Sequence, residues 1–315
     1  MRPNKLRQTW KSGANTINGW LGITSSMSAE VVASCGFESV TLDMQHGCIP
    51  FEQVVPMLQA ICQFDTTPMI RVPWNEPGII MRTLDAGAYG VICPMINTVA
   101  EAKALVSACR YPPMGARSNG PFRASIYGGA DYVQHANKEI LVFAMIETET
   151  AIKNLPDILK VEGLDGVYVG PSDLGLSMGE AATLAPTSQK VIDGIKKIAD
   201  LTKQHRKDAA SMPLRTQIKV LFCLQKFTSA VVPALAAAHL CLLLILMPVL
   251  ADPVAIGLLL ASGLVLLAAA IATIRMRQRS TIDASFQPHA SSEQILIIDA
   301  ADHVPEAPLQ PVGRA

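Results

Sequence analysis

The feature that most constrains this chain is a regular alternation of short apolar runs with helix-forming segments across residues 18–206. The apolar runs have the length of strands, and most are followed by a segment with helical periodicity. The predicted strands are residues 18–23, 39–43, 68–72, 89–94, 140–146 and 166–169, and the predicted helices are residues 28–35, 51–63, 77–86, 99–109 and 187–203. Strands this apolar, each followed by a helix, predict a parallel sheet covered on both faces, either a barrel or an open doubly wound sheet. Polar residues at the strand ends favour the barrel.

Carboxylates follow the last two predicted strands, Glu147 after the fifth and Asp173 after the sixth. Because the carboxyl ends of parallel strands share one edge of the sheet, we expect these side chains to converge there. Two oxygen ligands with room for water suit Mg²⁺ or Mn²⁺. The turn formed by Gly170, Pro171 and Ser172 exposes backbone amides that suit a substrate carboxylate. The alternative is that each acidic residue only caps the helix after it.

Three further residues are candidates for the chemistry. His46 follows the second strand and can accept a proton near neutral pH, and Asp85, at the end of the third predicted helix, is a plausible partner to orient its ring. Alternatively, His46 bonds only the backbone of its own turn. Arg71 ends the third strand, where its planar guanidinium can bind a carboxylate or an enolate. A surface salt bridge is the other interpretation of Arg71.

A long connection rich in glycine, proline and arginine occupies residues 111–129. Its length indicates a functional loop rather than a simple turn. Arg117 and Arg123 within it either contact an acidic substrate or only solvate the loop, and the sequence does not distinguish the two.

Composition excludes several classes of protein. The 26 basic and 26 acidic residues balance, so there is no electrostatic footprint of a nucleic-acid-binding protein. The seven cysteines are scattered without a C-x-x-C pair, which indicates reduced thiols rather than disulfides or a zinc site. The N-terminus lacks the apolar core of a secretory signal.

After residue 207 the composition changes, and two uncharged apolar segments, residues 229–250 and 254–274, each have the length needed to cross a bilayer. Basic residues flank both, so the positive-inside rule places both ends in the cytoplasm. The predicted organisation is a partial barrel at 1–207, a linker at 208–226, a transmembrane hairpin at 227–275 and a disordered cytoplasmic tail at 276–315.

Six stretches of residues 3–206 resemble the HpcH/HpaI family of class II pyruvate aldolases, which includes 4-hydroxy-2-oxoheptanedioate aldolases. The matching stretches, in the order of the family, are LDMQHG, IRVPW, LDAGAYGVICPMI, GARSNGPFRA, AMIETETAIKNLPDI and GLDGVYVGPSDLGLSMG. The resemblance implies a (β/α)8 TIM barrel of the phosphoenolpyruvate/pyruvate type. It also implies an aldolase that cleaves 4-hydroxy-2-oxo acids to pyruvate and an aldehyde.

The resemblance also assigns roles to the candidate residues. It implies a divalent ion (Mg²⁺, Mn²⁺ or Co²⁺) held by Glu147 and Asp173, and an enolate stabilised by Arg71. It also implies proton transfer by His46 paired with Asp85. The pyruvate carboxylate would be bound at Gly170, Pro171 and Ser172. No lysine falls at a predicted strand end on this face, so a metal-stabilised enolate is preferred to an imine. The aldehyde product stays open.

The chain departs from this family after residue 206, where two more strand–helix units are expected and a membrane hairpin is predicted instead. Six strands cannot close an eight-stranded barrel, and the first and sixth are expected to form open edges. Two organisations are then expected. The chain is either a membrane-anchored cytoplasmic aldolase completed by a partner chain or homo-oligomer, or an inactive fusion or truncation product whose hairpin is the working part. A citrate-lyase-like CoA ester lyase is a further alternative. The expected partners are a small 2-oxo acid and a membrane, without nucleic acid.

Overall fold

The computed structural model describes residues 1–12, 14–210 and 219–222. The strands are β1 Asn18–Leu21, β2 Ser39–Asp43, β3 Thr67–Arg71, β4 Gly90–Cys93, β5 Leu141–Ile146, β6 Gly166–Val169 and β7 Lys219–Phe222. The helices are α1 Lys5–Lys11, α2 Ser26–Ser34, α3 Phe51–Ile61, α4 Pro77–Asp85, α5 Val99–Cys109, α6 Phe122–Gly128, α7 Tyr132–Glu139, α8 Glu149–Ile158, α9 Pro171–Ser177 and α10 Gln189–Ala210.

All strands are parallel and stand in chain order from β1 to β7, as in a barrel wall. The six predicted strands are confirmed. The seventh strand corrects the prediction, because it lies in the segment assigned to the linker, and β6 is therefore paired on both sides rather than forming an edge. Four residues that begin with a lysine give no period that distinguishes a strand from the flank of a membrane span.

Successive side chains along each strand point to opposite faces of the sheet, so the strands contribute to two separate apolar layers. Outward residues such as Val40 and Ile70 pack against the helices in the larger cluster. Inward residues form a second cluster inside the curved sheet; it contains Trp20, Met69, Ile92, Leu141, Phe143, Met145 and Tyr168, with Leu6 and Trp10 from α1. The inward face stays apolar until the carboxyl ends of the strands, where it becomes charged.

At the opposite, amino edge the sheet is covered by α1 and tied by a buried ion cluster. Asp165, directly before β6, accepts hydrogen bonds from Arg7 at 2.6 Å and from Arg110 at 2.7 Å. Arg110 also donates to the carbonyls of Ile140 and Gly163, both at 2.8 Å. This cluster joins the starts of β5 and β6 to α1 and to the end of α5, so it fixes the strands from the side opposite the candidate site.

The predicted transmembrane segments, residues 229–250 and 254–274, lie outside the described residues. Among the helices that the structure describes, none combines the length and apolar character needed to span a bilayer.

Candidate active site

A buried arginine–carboxylate pair lies at the carboxyl ends of β2 and β3. Asp43 and Arg71 are directly opposite each other in the register of the two strands, and they share the inward parity of Met69. Arg71 Nε donates to Asp43 Oδ1 at 2.8 Å, and Arg71 Nη2 donates to Asp43 Oδ2. The two residues are only 5% and 1% exposed, so the surface salt bridge considered for Arg71 is wrong.

Trp20 of β1 completes the surroundings of this pair. Its indole Nε1 donates to Asp43 Oδ2 at 3.2 Å, and the Arg71 guanidinium lies 4.9 Å from its ring centroid. Burial raises the pKa of Asp43, but the hydrogen bond and charge of Arg71 and the amides of His46 and Gln45 outweigh it, so the pKa lies below its ordinary value. Asp43 therefore stays ionised and holds the guanidinium in one orientation.

Glu147 follows β5 and is buried, with 1% of its surface exposed. Its Oε1 accepts the Met95 backbone N–H at 2.7 Å. Burial raises the pKa of Glu147 to about 7; the Met95 amide opposes the rise, the Asp173 charge adds to it and Arg71 lowers it. Glu147 therefore lies within electrostatic reach of both Asp173 and Arg71. Perturbed carboxylates of this kind concentrate at functional sites.

Asp173 lies in the first turn of α9, which begins directly after β6, and it is half-buried. The described residues contain no group of three or more histidine, cysteine or acidic side chains suited to a metal. A metal at Glu147 and Asp173 would have two protein carboxylates as ligands, with any further ligands supplied by water or substrate.

The capping alternative fails for Glu147. Helix α8 is capped by Thr148, whose hydroxyl accepts the Ala151 N–H at 3.0 Å, while Glu147 points to the Met95 amide. For α9, the Gly170 N-cap has no side-chain hydrogen bond, and Asp173 interacts with the helix only as an acidic group in its first turn.

Gly170 lies directly against Glu147. A methyl group added there would overlap Glu147 Oε2 and come within 2.9 Å of Glu147 Cβ. Glycine is thus required for Glu147 to occupy its place between β5 and the start of α9.

His46 is exposed in the loop after β2, and its backbone N–H donates to Asp43 Oδ1 at 3.2 Å. The described chain does not bring Asp85 to it. Asp85 ends α4, which begins beyond the carboxyl end of β3 and runs back along the sheet for nine residues, roughly 13 Å. Its Oδ1 instead accepts from Arg117 Nη2 at 2.7 Å. The predicted His46–Asp85 pair therefore does not form within one described chain.

The two arginines of the loop, Arg117 and Arg123, both bond to other parts of the protein. Arg117 is buried, with its guanidinium 4.5 Å from the Tyr111 ring centroid and bonded to Asp85. Arg123 Nη1 donates to the Ala86 carbonyl. Neither contact is the substrate contact or the solvated loop considered from the sequence.

Two neighbours of the site, Trp20 and Met95, were not identified from the sequence. Trp20 precedes the last residue of β1, and the predicted strand, residues 18–23, places it inside the strand, so the strand-end rule that selected Arg71 did not select it. Met95 acts through its backbone amide, in a left-handed conformation with φ 56° that sequence does not signal.

A curved parallel sheet with a buried arginine and two carboxylates at its carboxyl edge is the architecture of a barrel enzyme. A family model described as HpcH/HpaI aldolase/citrate lyase matches residues 17–217. The chain belongs to this family, and it is a carbon–carbon lyase.

Known relatives agree with this assignment. The chain is 43% identical over 197 residues to a hydroxypyruvate/pyruvate aldolase of Rhizorhabdus wittichii, covering 62% of this chain and 78% of that protein. It is 42% identical over 181 residues to a 4-hydroxy-2-oxo-heptane-1,7-dioate aldolase of Escherichia coli, covering 56% and 69%. An HpcH/HpaI aldolase/citrate lyase family protein of Burkholderia cenocepacia superposes with a TM-score of 0.63 at 25% identity, covering 75% of this chain and 99% of that one.

Proposed function

We propose that the protein cleaves 4-hydroxy-2-oxo acids to pyruvate and an aldehyde, using a divalent ion held by Glu147 and Asp173. The observation that carries the proposal is the position of Glu147, which follows β5, lies against Gly170 at the start of α9, and is within electrostatic reach of Asp173 and the buried Arg71. The names of the aldolase relatives support the reaction class. The aldehyde product is not assigned.

The two carboxylates fit a hard cation. Burial, and to a smaller extent the charge of Asp173, raises the pKa of Glu147, and a bound cation would stabilise its ionised form. Mg²⁺, Mn²⁺ and Co²⁺ all accept carboxylate and water ligands. When bound, such an ion supplies a Lewis acid that polarises the 2-oxo group.

Arg71 stabilises the charge that develops during cleavage. As the C3–C4 bond breaks, its electron pair moves toward the 2-oxo carbonyl and the 4-hydroxyl loses a proton, which leaves pyruvate enolate and the aldehyde. Arg71, held by Asp43 and Trp20, is already oriented and need not reorganise when the charge appears. Protonation of the enolate at C3 gives pyruvate.

Proton transfer is assigned to His46, which is exposed beside Asp43. Asp85 of the same chain is bonded to Arg117, so within the described chain the His46 ring is not oriented by it. The backbone around Gly170, Pro171 and Ser172 binds the substrate carboxylate beside Glu147.

The test is pyruvate release by the full-length protein from a 4-hydroxy-2-oxo acid, with and without EDTA, alongside Glu147→Ala. We expect release that EDTA abolishes, that added Mg²⁺ or Mn²⁺ restores, and that the variant lacks. Equal release with EDTA, or by Glu147→Ala, would contradict the proposal.

Gly170→Ala gives a second test of the site. The added methyl group displaces the Glu147 carboxylate, so we expect Mn²⁺ to bind about 10–100-fold more weakly, measured by calorimetry. Gly120→Ala is the matched control, since the nearest non-neighbouring atom to the new methyl is Asp85 Oδ2 at 4.0 Å, and it should bind Mn²⁺ as the unaltered protein does. Equal affinities for the two variants would contradict the placement of the metal at Glu147.

A CoA ester lyase is the second candidate, because the family description covers citrate lyases as well as aldolases. Cleavage that requires a CoA thioester, with no pyruvate released from free 2-oxo acids, would favour it. If the chain is an inactive fusion or truncation product, neither reaction is expected. We further propose, from the sequence pattern of residues 229–274, that a hairpin anchors the chain in a membrane and that the aldolase part lies in the cytoplasm.

A further inference from the structure

The loop between β4 and α5 contains a strained peptide that contacts Glu147. Met95 has φ 56°, a conformation that a side chain with a Cβ rarely adopts. In this conformation its N–H donates to Glu147 Oε1 at 2.7 Å. The strained conformation is therefore coupled to the orientation of a carboxylate on which the proposed function depends.

Asn97 bonds the other side of Met95, at its carbonyl. Its Nδ2 donates to the Met95 carbonyl at 3.0 Å, and its Oδ1 accepts from the Thr148 hydroxyl. The Thr148 hydroxyl also accepts the Ala151 N–H, so its own proton is available for Asn97. Since Thr148 is covalently attached to Glu147, these contacts form a closed ring from Glu147 through Met95 and Asn97 back to Glu147.

We propose that Asn97 is a positioning residue that keeps Met95 in its left-handed conformation and thereby fixes the Glu147 carboxylate for a divalent ion. The inference rests on the proposed function and adds a residue to it. Without Asn97, Met95 can relax to negative φ, its N–H turns away, and Glu147 loses the donor that restricts its rotamer. Outer contacts of this kind orient metal ligands and tune their affinity.

The alternative is that Asn97 only joins the loop to its neighbouring helices. Asn154 of α8 provides the comparison, because its Nδ2 donates to the Asn97 carbonyl at 2.8 Å and so supports the same loop. Within the described chain, the side-chain hydrogen bond of Asn154 goes to Asn97 and not to Met95 or Glu147. A role confined to loop stability predicts similar effects for the loss of either asparagine.

The experiment is calorimetric titration of the metal-free full-length protein with Mn²⁺, with folding checked by circular dichroism. Asn97→Ala should weaken Mn²⁺ binding about tenfold or more, whereas Asn154→Ala should remain within about twofold of the unaltered protein. Should Asn97→Ala fail to fold, Asn97→Ser keeps a polar group at this half-buried position but is too short to reach both partners, and it carries the same expectation.

A second substitution provides a rescue. Glycine adopts positive φ without strain, so Met95→Gly in the Asn97→Ala background should restore most of the lost Mn²⁺ affinity. The inference would be overturned if Asn97→Ala binds Mn²⁺ no more weakly than Asn154→Ala does. It would also be overturned if Met95→Gly restores none of the lost Mn²⁺ affinity. Glu147→Gln separates this failure from that of the proposed function: if it binds Mn²⁺ as well as the unaltered protein, the metal site itself is wrong and the inference falls with it.

Discussion

Replacing Arg71 by lysine is expected to lower kcat for pyruvate release about 10²–10³-fold, the effect of removing one oriented donor from a developing oxyanion. Lysine keeps the positive charge and can still pair with Asp43. Lysine lacks the planar guanidinium, which donates from both Nε and Nη2 to that carboxylate. In arginine the remaining guanidinium hydrogens are then held in a fixed direction, and lysine cannot reproduce this. The loss should therefore appear in kcat more than in stability, and steady-state kinetics with saturating Mn²⁺ measures it.

Arg82→Lys is the matched control. Arg82 is exposed, with its guanidinium 3.8 Å from the Phe51 ring centroid on the outer surface of the helices. We expect its kcat to be unchanged. If Arg71→Lys keeps kcat within about threefold while its fold is intact, Arg71 does not stabilise the developing charge in the manner proposed.

The second large effect is on stability. Asp165→Asn preserves the shape of the side chain but removes the charge that neutralises Arg110, which is 1% exposed. Breaking a buried ion pair by removing one partner costs about 3–5 kcal/mol, because the other charge stays in the interior. Arg7, also bonded to Asp165, increases the excess of positive charge. Urea unfolding followed by tryptophan fluorescence measures this cost, and all three tryptophans lie among the described residues.

Asp157→Asn serves as the comparison, because Asp157 pairs with Lys160 at 2.8 Å on the surface, where both side chains are more than 60% exposed. Such a pair contributes about 0–1 kcal/mol. Similar losses of unfolding free energy for the two variants would mean that the cluster at the amino edge does not hold the sheet together.

Much of the architecture follows from local pattern. The apolar runs from β1 to β6 were predicted because their period and length are set by burial of both faces of a parallel sheet. The position of Glu147 and Asp173 at one edge follows from chain direction alone, since every parallel strand ends at that edge.

Other features depend on pairings that are distant in sequence. The partner of Arg71 was not evident, because it is set by the register between β2 and β3. The bond between Asp85 and Arg117 was not evident either, because the sequence of α4 does not show which part of the fold its end meets. Strand β7 was missed for a related reason: a four-residue run becomes a strand only through its ladder with β6.

The sequence by itself therefore determined the alternation of strands and helices and the edge at which the acidic residues collect, because both depend on periodicity and chain direction. The tertiary structure alone decided which charges are buried together, that Gly170 makes room for Glu147, and that the Met95 peptide turns toward that carboxylate. These depend on register, packing distance and backbone torsion, which are fixed only when the strands and helices meet.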